Sequence, residues 1–280
     1  MEGTGYKVSK VLNNNVVFAV GPDKQEVVLV GKGLGFGKKA GERIEHGQFD
    51  KEFRLTDSNQ STRYSELLSQ TDERIVSVCE EIIAYAQEKL GEMLHAHIHI
   101  SLTDHIAFAL ERIRKGQTIT NTTLTEIRSL YPKEYAIAEH AVELVKRQLG
   151  TELPRAEEGF IAMHIHSARA NATVGKLLRG VELVSDLVKL IEKGLGIMLD
   201  PSSMDYARLV TDLRFTIERV ENGEFTENHL VSLLKRDFAK WYSLAEQVGH
   251  RITQVLELPV HESEIGYLTI HLSRLQNRIA

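Results

Sequence analysis

The histidines are the residues best suited to chemistry in this sequence. The interval from His105 to His164 recurs, further along the chain, from Asp212 to His271. An unperturbed imidazole is mostly neutral near pH 7. Metal ligation is the rival reading. His95-x-His97-x-His99 and His164-x-His166 would place imidazoles on one face of a strand. However, there is no His-Glu-x-x-His and no cysteine partner. The region also reads as helical, which puts His95 and His99 on one face and turns His97 away. A lone histidine on an amphipathic helix is ordinarily a hydrogen-bonded core residue. Recurrence at matched positions argues against that reading here. Hydrolase chemistry has less support, because no Gly-x-Ser-x-Gly occurs and Cys79 lies in an apolar helical stretch. The expectation is a protein that is not an enzyme and holds neither metal nor cofactor.

A second chemistry sits near the start. Gly31-Lys32-Gly33-Leu34-Gly35-Phe36-Gly37-Lys38-Lys39 is a glycine-rich loop. It fails the P-loop pattern, because no Ser or Thr follows Lys38, and it fails Gly-x-Gly-x-x-Gly in every register. What remains is glycines that admit close backbone approach, one aromatic face and three lysines. An exposed Phe can stack an unpaired base, and lysines neutralise phosphates. The side chains of Asn13-Asn14-Asn15 carry both donor and acceptor and can pair with base edges. Together these residues describe an RNA-binding surface; the plainer alternative is a β-hairpin with a glycine bulge and a core Phe. Charge agrees with RNA. The chain is −5 overall, yet residues 1–41 hold six lysines against three acids, +3, which leaves −8 for the rest.

These residues need elements to hold them. Residues 6–55 read as β, with apolar runs Val16–Val20 and Val27–Val30, turns at Asn13-Asn14-Asn15 and Gly21-Pro22-Asp23-Lys24, and a last strand from Phe49 to Leu55. Four or so strands in so short a stretch bury little core, so such a sheet needs a partner, and a two-fold dimer is the commonest solution. From residue 65 the pattern turns helical: Ile75, Val78, Ile82, Ile83, Ala86 and Leu90 follow i, i+3, i+4, i+7 spacing, and Pro132, Pro154, Pro201 and Pro259 fall near the breaks.

The body repeats itself in a single register. Sliding it along until Asp104–Arg112 lies over Thr211–Arg219 also lays Gly116 over Gly223. The same offset puts Tyr135, Ala138 and Glu139 over Tyr242, Ala245 and Glu246, and Gly159–Ile165 over Gly266–Leu272. The expected fold is multidomain: a small antiparallel β-sheet RNA-binding head at 1–58, then two repeated all-α helical-bundle modules at 66–172 and 173–280. The longest apolar run, Val16–Val20, is far below the ~18 residues of a membrane helix. The start shows no signal-peptide core, and the single cysteine fits a reducing cytoplasm. A cytoplasmic protein without membrane insertion is therefore expected.

The residues match a known pattern. Lys10-Val11-Leu12-Asn13-Asn14-Asn15-Val16, followed by the Gly31–Lys39 loop, resembles the RNA-binding head of bacterial transcriptional antiterminators controlled by the sugar phosphotransferase system (PTS). The duplicated body resembles their paired PTS regulation domains. Leu102-Thr103-Asp104-His105-Ile106 and Gly159-Phe160-Ile161-Ala162-Met163-His164-Ile165 look like the two histidine motifs of the first domain. The Gly31–Lys39 loop and the run Leu102–Ala109 are most like the glucose-type branch. The resemblance implies a homodimeric head that binds an RNA hairpin in a sugar-operon leader and excludes an overlapping terminator. It implies that the sugar-specific enzyme II phosphorylates the first domain and inactivates the protein, and that the phosphocarrier protein acts on the second domain. Carried over by motif, the RNA surface is Lys10, Asn13, Asn15, Gly31, Lys32, Gly33 and Phe36, and the phosphorylation candidates are His105, His164 and His271. A DNA-binding activator with the same regulation domains is the alternative. The head argues against it, reading as sheet without a helix-turn-helix pattern.

Asp212 departs from the family pattern, which has His there. An aspartate cannot form a phosphoimidazole, but it supplies a fixed negative charge where phosphorylation would add about −1.5 to −2. Copy two is then a scaffold, a live acceptor through His271 alone, or a frozen active switch. Arg208 and Arg214 are local bases that could pair with Asp212. The expectation is a closed second-domain dimer whose activity no longer needs the phosphocarrier protein.

Overall fold

The structure, a computed structural model, describes residues 5–12, 16–31, 33–49, 51–54, 71–224 and 227–279. Of the expected RNA-surface residues, Asn13, Asn15 and Lys32 lie outside this range, as does the stretch 55–70, where the helical pattern was expected to begin.

The head is one five-stranded antiparallel sheet, β1 (Tyr6–Val11), β2 (Val16–Val20), β3 (Glu26–Val30), β4 (Arg43–Ile44) and β5 (Lys51–Arg54), in the order β4-β1-β2-β3-β5. Alternation along the strands sorts the side chains by face. Val17, Ala19, Val27 and Leu29 join Tyr6, Val8, Leu34 and Ile44 in one core. Val16, Phe18 and Val28 point to the other face and pack with Leu12, Ala84 and Ile100. The apolar runs are therefore unbroken because β2 and β3 are buried on both faces. The cover that so small a sheet needs comes in part from within the chain, through the helices that carry Ala84 and Ile100.

Ten helices follow among the described residues: α1 (Glu73–Leu90), α2 (Ile98–Arg114), α3 (Leu124–Leu130), α4 (Pro132–Leu149), α5 (Ala156–Ala170), α6 (Val174–Leu195), α7 (Met204–Asn222), α8 (Val231–Asp237), α9 (Ala239–Leu256) and α10 (Glu262–Ile279). Local chemistry fixes the ends. Asp72 caps α1 by accepting from the Arg74 amide, and Gly91 closes the helix in the left-handed region at φ 71°. Ser203 and Gly223 do the same for α7. Pro132 opens α4, where its missing N–H costs nothing. The offset that lays Asp104 over Thr211 carries α3 onto α8 and α4 onto α9 residue for residue. Each copy is thus a five-helix module.

The chain divides into two compact units, one of residues 1–121 and 133–174, the other of 122–132 and 175–280. Helix α3 belongs to the first copy by sequence but to the second unit by packing. Leu130 joins the apolar core built by α6 to α10, and Tyr206 on α7 donates to the Glu126 carboxylate at 3.1 Å. No helix among the described residues is long and apolar enough to cross a membrane.

Candidate functional site

In the first unit, α2 presents His105 and α5 presents His164, with ring centroids 4.7 Å apart. Both line an open pocket of about 680 Å³ with His95, His97, Asp104 and Ser167. His105 Nε2 lies 2.7 Å from an oxygen of Glu157, a fully buried carboxylate on the first turn of α5. The other Glu157 oxygen accepts from Arg112 at 3.3 Å. His164 is held differently. Its Nδ1 is sealed from solvent with no hydrogen-bond partner, and burial pushes its pKa down to about 3. It is therefore a neutral imidazole at any physiological pH.

That depression has a measurable consequence. The unfolded chain takes up a proton near pH 6.5 that the folded ring refuses until about pH 3. Stability tied to His164 is thus complete above pH 6.5 and is lost as pH falls toward 3, by roughly 1.4 kcal/mol per pH unit. Urea unfolding midpoints should fall more steeply between pH 6.5 and 5 for the wild type than for His164→Gln. Equal slopes would contradict the burial of this ring.

Four further histidines of the first unit have structural partners. His166 binds the Glu134 carboxylate at 3.0 Å. Burial alone would raise the Glu134 pKa, but hydrogen bonds from His166 and Arg169 hold it down to about 2. His99 is buried against Glu80 at 2.8 Å. Contrary to the helical reading, His95 and His97 precede α2 in a turn, with their Nδ1 atoms 2.8 Å apart. Burial and the neighbouring His95 lower the His97 pKa. Among the described residues, no three His, Cys, Asp or Glu side chains converge as a metal site would require.

The second unit keeps the frame and changes the pairing. Asp212 on α7 and His271 on α10 occupy the positions of His105 and His164, and Asp212 Oδ2 lies 2.6 Å from His271 Nδ1. The partner expected from local spacing is not the one found. Arg214 pairs with Glu218 at 3.5 Å, and Arg208 lines a pocket of about 290 Å³ beside Asp212, His271 and Arg274. The buried pair Glu157–Arg112 recurs as Glu264–Arg219, now a two-point contact at 2.9 and 2.6 Å. Charge explains the exchange. An aspartate cannot approach buried Glu264 as His105 approaches Glu157, so Arg219 takes both oxygens and Asp212 turns to His271.

The sequence reading missed Glu157 and Glu264. The signal was present in the same offset, just ahead of the matched Gly159 and Gly266.

In the head, Lys10 and Gly31 lie at the end of the sheet where Val16 pairs with Val30 and Lys10 with Phe18, and Gly33 and Phe36 follow in the turns of the loop that leaves it. Gly33 and Gly37 hold φ 71°, which leaves room for consecutive tight turns. Leu34 anchors the loop in the core, whereas Phe36 is 78% exposed. The plainer alternative of a core Phe is thereby overturned. Lys10 is paired with Glu73 on α1 at 2.7 Å.

A sheet with a glycine-rich, lysine-bearing end, followed by two copies of a five-helix module with matched His–His and Asp–His pairs, is the frame of an RNA-binding regulator. Residues 6–62 match the CAT RNA binding domain, and residues 80–168 and 185–275 match the PRD domain. The chain belongs to the family of transcription antiterminators that join a CAT RNA binding domain to two PRD domains. It is 41% identical to the PtsGHI operon antiterminator of Bacillus subtilis (strain 168), over 98% of this chain and 99% of that one. It is 34% identical to the transcription antiterminator LicT of the same organism, over 96% and 98% of the two chains. A solved structure described as GlcT CAT-PRDI superposes with TM-score 0.51 at 44% identity, covering 59% of this chain and 98% of that one.

Proposed function

We propose that this chain binds an RNA hairpin in the leader of a sugar PTS operon, prevents formation of an overlapping terminator, and is controlled by histidine phosphorylation through PTS proteins. The observation that carries the reading is the end-to-end likeness to antiterminators, head and both modules in order. The domain limits we assign are 1–58, 66–172 and 173–280. The working form is a cytoplasmic homodimer that uses no cofactor and catalyses no reaction of its own. The DNA-binding alternative is disfavoured, because the described residues up to 54 contain no helix.

Lys10, Asn13, Asn15, Gly31, Lys32, Gly33 and Phe36 form the RNA surface. The enzyme II of the sugar system phosphorylates His105 or His164. The added charge of about −1.5 to −2 then meets the buried Glu157 carboxylate. Arg112 holds Glu157 by one contact and its Nε has no partner among the described residues, so this guanidinium can turn to the new anion. Such an exchange shifts a two-state interface only if the two states present different partners to the charge. The phosphocarrier protein is the matching donor for His271.

Binding of the purified full chain to its own operon's leader hairpin tests the reading. Phe36→Ala removes a stacking contact worth about 1–3 kcal/mol, and Lys32→Ala flattens the salt dependence of binding. No hairpin binding by the wild type at moderate salt, or unchanged affinity in Phe36→Ala, would contradict this surface.

A further inference from the structure

We propose that the two histidine positions of the module take their phosphoryl group on opposite ring nitrogens: His105 on Nδ1, and His164 and His271 on Nε2. The inference rests on the reading of these three residues as acceptors and adds the atom to it.

A carboxylate only accepts hydrogen bonds, so an imidazole nitrogen facing one must carry a proton. Glu157 faces Nε2 of His105 at 2.7 Å. In the neutral ring the lone pair is then on Nδ1, and the ring lines the open pocket together with Asp104 and Phe108. Asp212 faces Nδ1 of His271 at 2.6 Å, which leaves the lone pair on Nε2. His164, the repeat equivalent of His271, reaches the same choice by another route. Its Nδ1 is sealed in protein, where no donor's phosphorus can approach, so only Nε2 can react. The outcome thus follows position in the module, whether a carboxylate or burial enforces it.

The transfer makes and breaks the same bonds at each site; at His105 and His271 a carboxylate holds the ring's remaining proton, whereas the Nδ1 of His164 has no carboxylate partner. The free ring nitrogen attacks the phosphorus of a phosphorylated side chain on the donor protein. The new N–P bond forms as the donor's bond to phosphorus breaks, and the donor side chain leaves with that electron pair. The proton on the opposite nitrogen stays in place, hydrogen-bonded at His105 to Glu157 and at His271 to Asp212. The product at these two sites is a phosphorylated imidazolium held by a carboxylate, which makes Glu157 and Asp212 positioning residues. Copy two adds cations. Arg208 and Arg274 line the His271 pocket at the positions where copy one has Ser101 and Ser167. The Nε2 phosphoryl of His271 therefore finds two guanidinium groups at positions where the first site has serines.

The test uses the full chain with ¹⁵N-labelled histidine. Long-range ¹H–¹⁵N spectra, assigned through single His→Gln variants, read each tautomer before any donor is added. Phosphoramidate then serves as the phosphoryl donor, and N–P coupling identifies the isomer. The expected result is an Nε2–H tautomer at His105 and an Nδ1–H tautomer at His271. The Nδ1 phosphoryl isomer should follow at His105 and the Nε2 isomer at His164 and His271. Glu157→Ala should convert His105 to a mixture of tautomers without altering His271. The reverse tautomer at His105 or His271, or one common isomer at all three sites, overturns the proposal. The expected tautomers with no phosphoryl uptake at any of the three would instead defeat their reading as acceptors.

Discussion

Replacing both His105 and His164 by Ala should leave read-through on whether or not the inducing sugar is present. The two rings share one pocket, 4.7 Å apart, and the histidines near them in the fold are held otherwise. His166 and His99 are tied to buried carboxylates, and His95 and His97 face each other. On the proposed reading, enzyme II then has no position at which to place the inactivating charge. Coupling between a modification site and a distant activity typically spans about 5–150-fold. The induced-to-uninduced ratio of a reporter fused behind the leader should therefore fall from roughly that range to about one. Each single variant should fall short of the double, because either ring can still receive the group. Sugar dependence that persists in the double variant would place control elsewhere.

The second large effect concerns Asp212. Its carboxylate supplies about one of the charges that phosphorylation would bring, in a pocket lined by Arg208 and Arg274. Wild-type read-through should therefore survive in cells that lack the kinase that charges the phosphocarrier protein. Asp212→His removes the standing charge and restores the repeat's histidine pair, so read-through should become dependent on that kinase, with a loss in its absence of about 5–150-fold. Asp212→Ala should loosen the proposed second-domain dimer, measured by the concentration dependence of its sedimentation. If wild-type read-through collapses without the kinase, the fixed charge does not stand in for phosphate, and phosphorylation of His271 carries activation.

Much of this architecture is legible from pattern. Period-3.6 apolar spacing locates α1, capping residues and prolines mark the helix ends, and the single repeat offset pairs the modules. The glycine loop is legible from its run of glycines, and burial of Leu34 with exposure of Phe36 shows which apolar residue the core takes. Contacts set by tertiary approach are not legible. The bond from His105 to Glu157 spans 52 residues, and only packing of α2 on α5 brings the pair together. Local spacing offers Asp212 the arginines near it in sequence, but the helix pair offers His271 across the interface between α7 and α10. Helix α3 likewise leaves its own copy because Leu130 and Glu126 find their partners in the second unit. His95 and His99 have the spacing of one helix face, yet the helix starts only at Ile98.

The central claim is that this chain lets polymerase pass a terminator by holding leader RNA. Transcription with purified polymerase on a template carrying the chain's own operon leader measures that passage without any cellular background. Added full-length protein should raise the fraction of full-length transcript. The increase should disappear with Phe36→Ala or with a leader whose hairpin is disrupted, and return when compensating changes restore the hairpin. An unchanged termination fraction at protein concentrations that saturate the leader RNA would contradict the account.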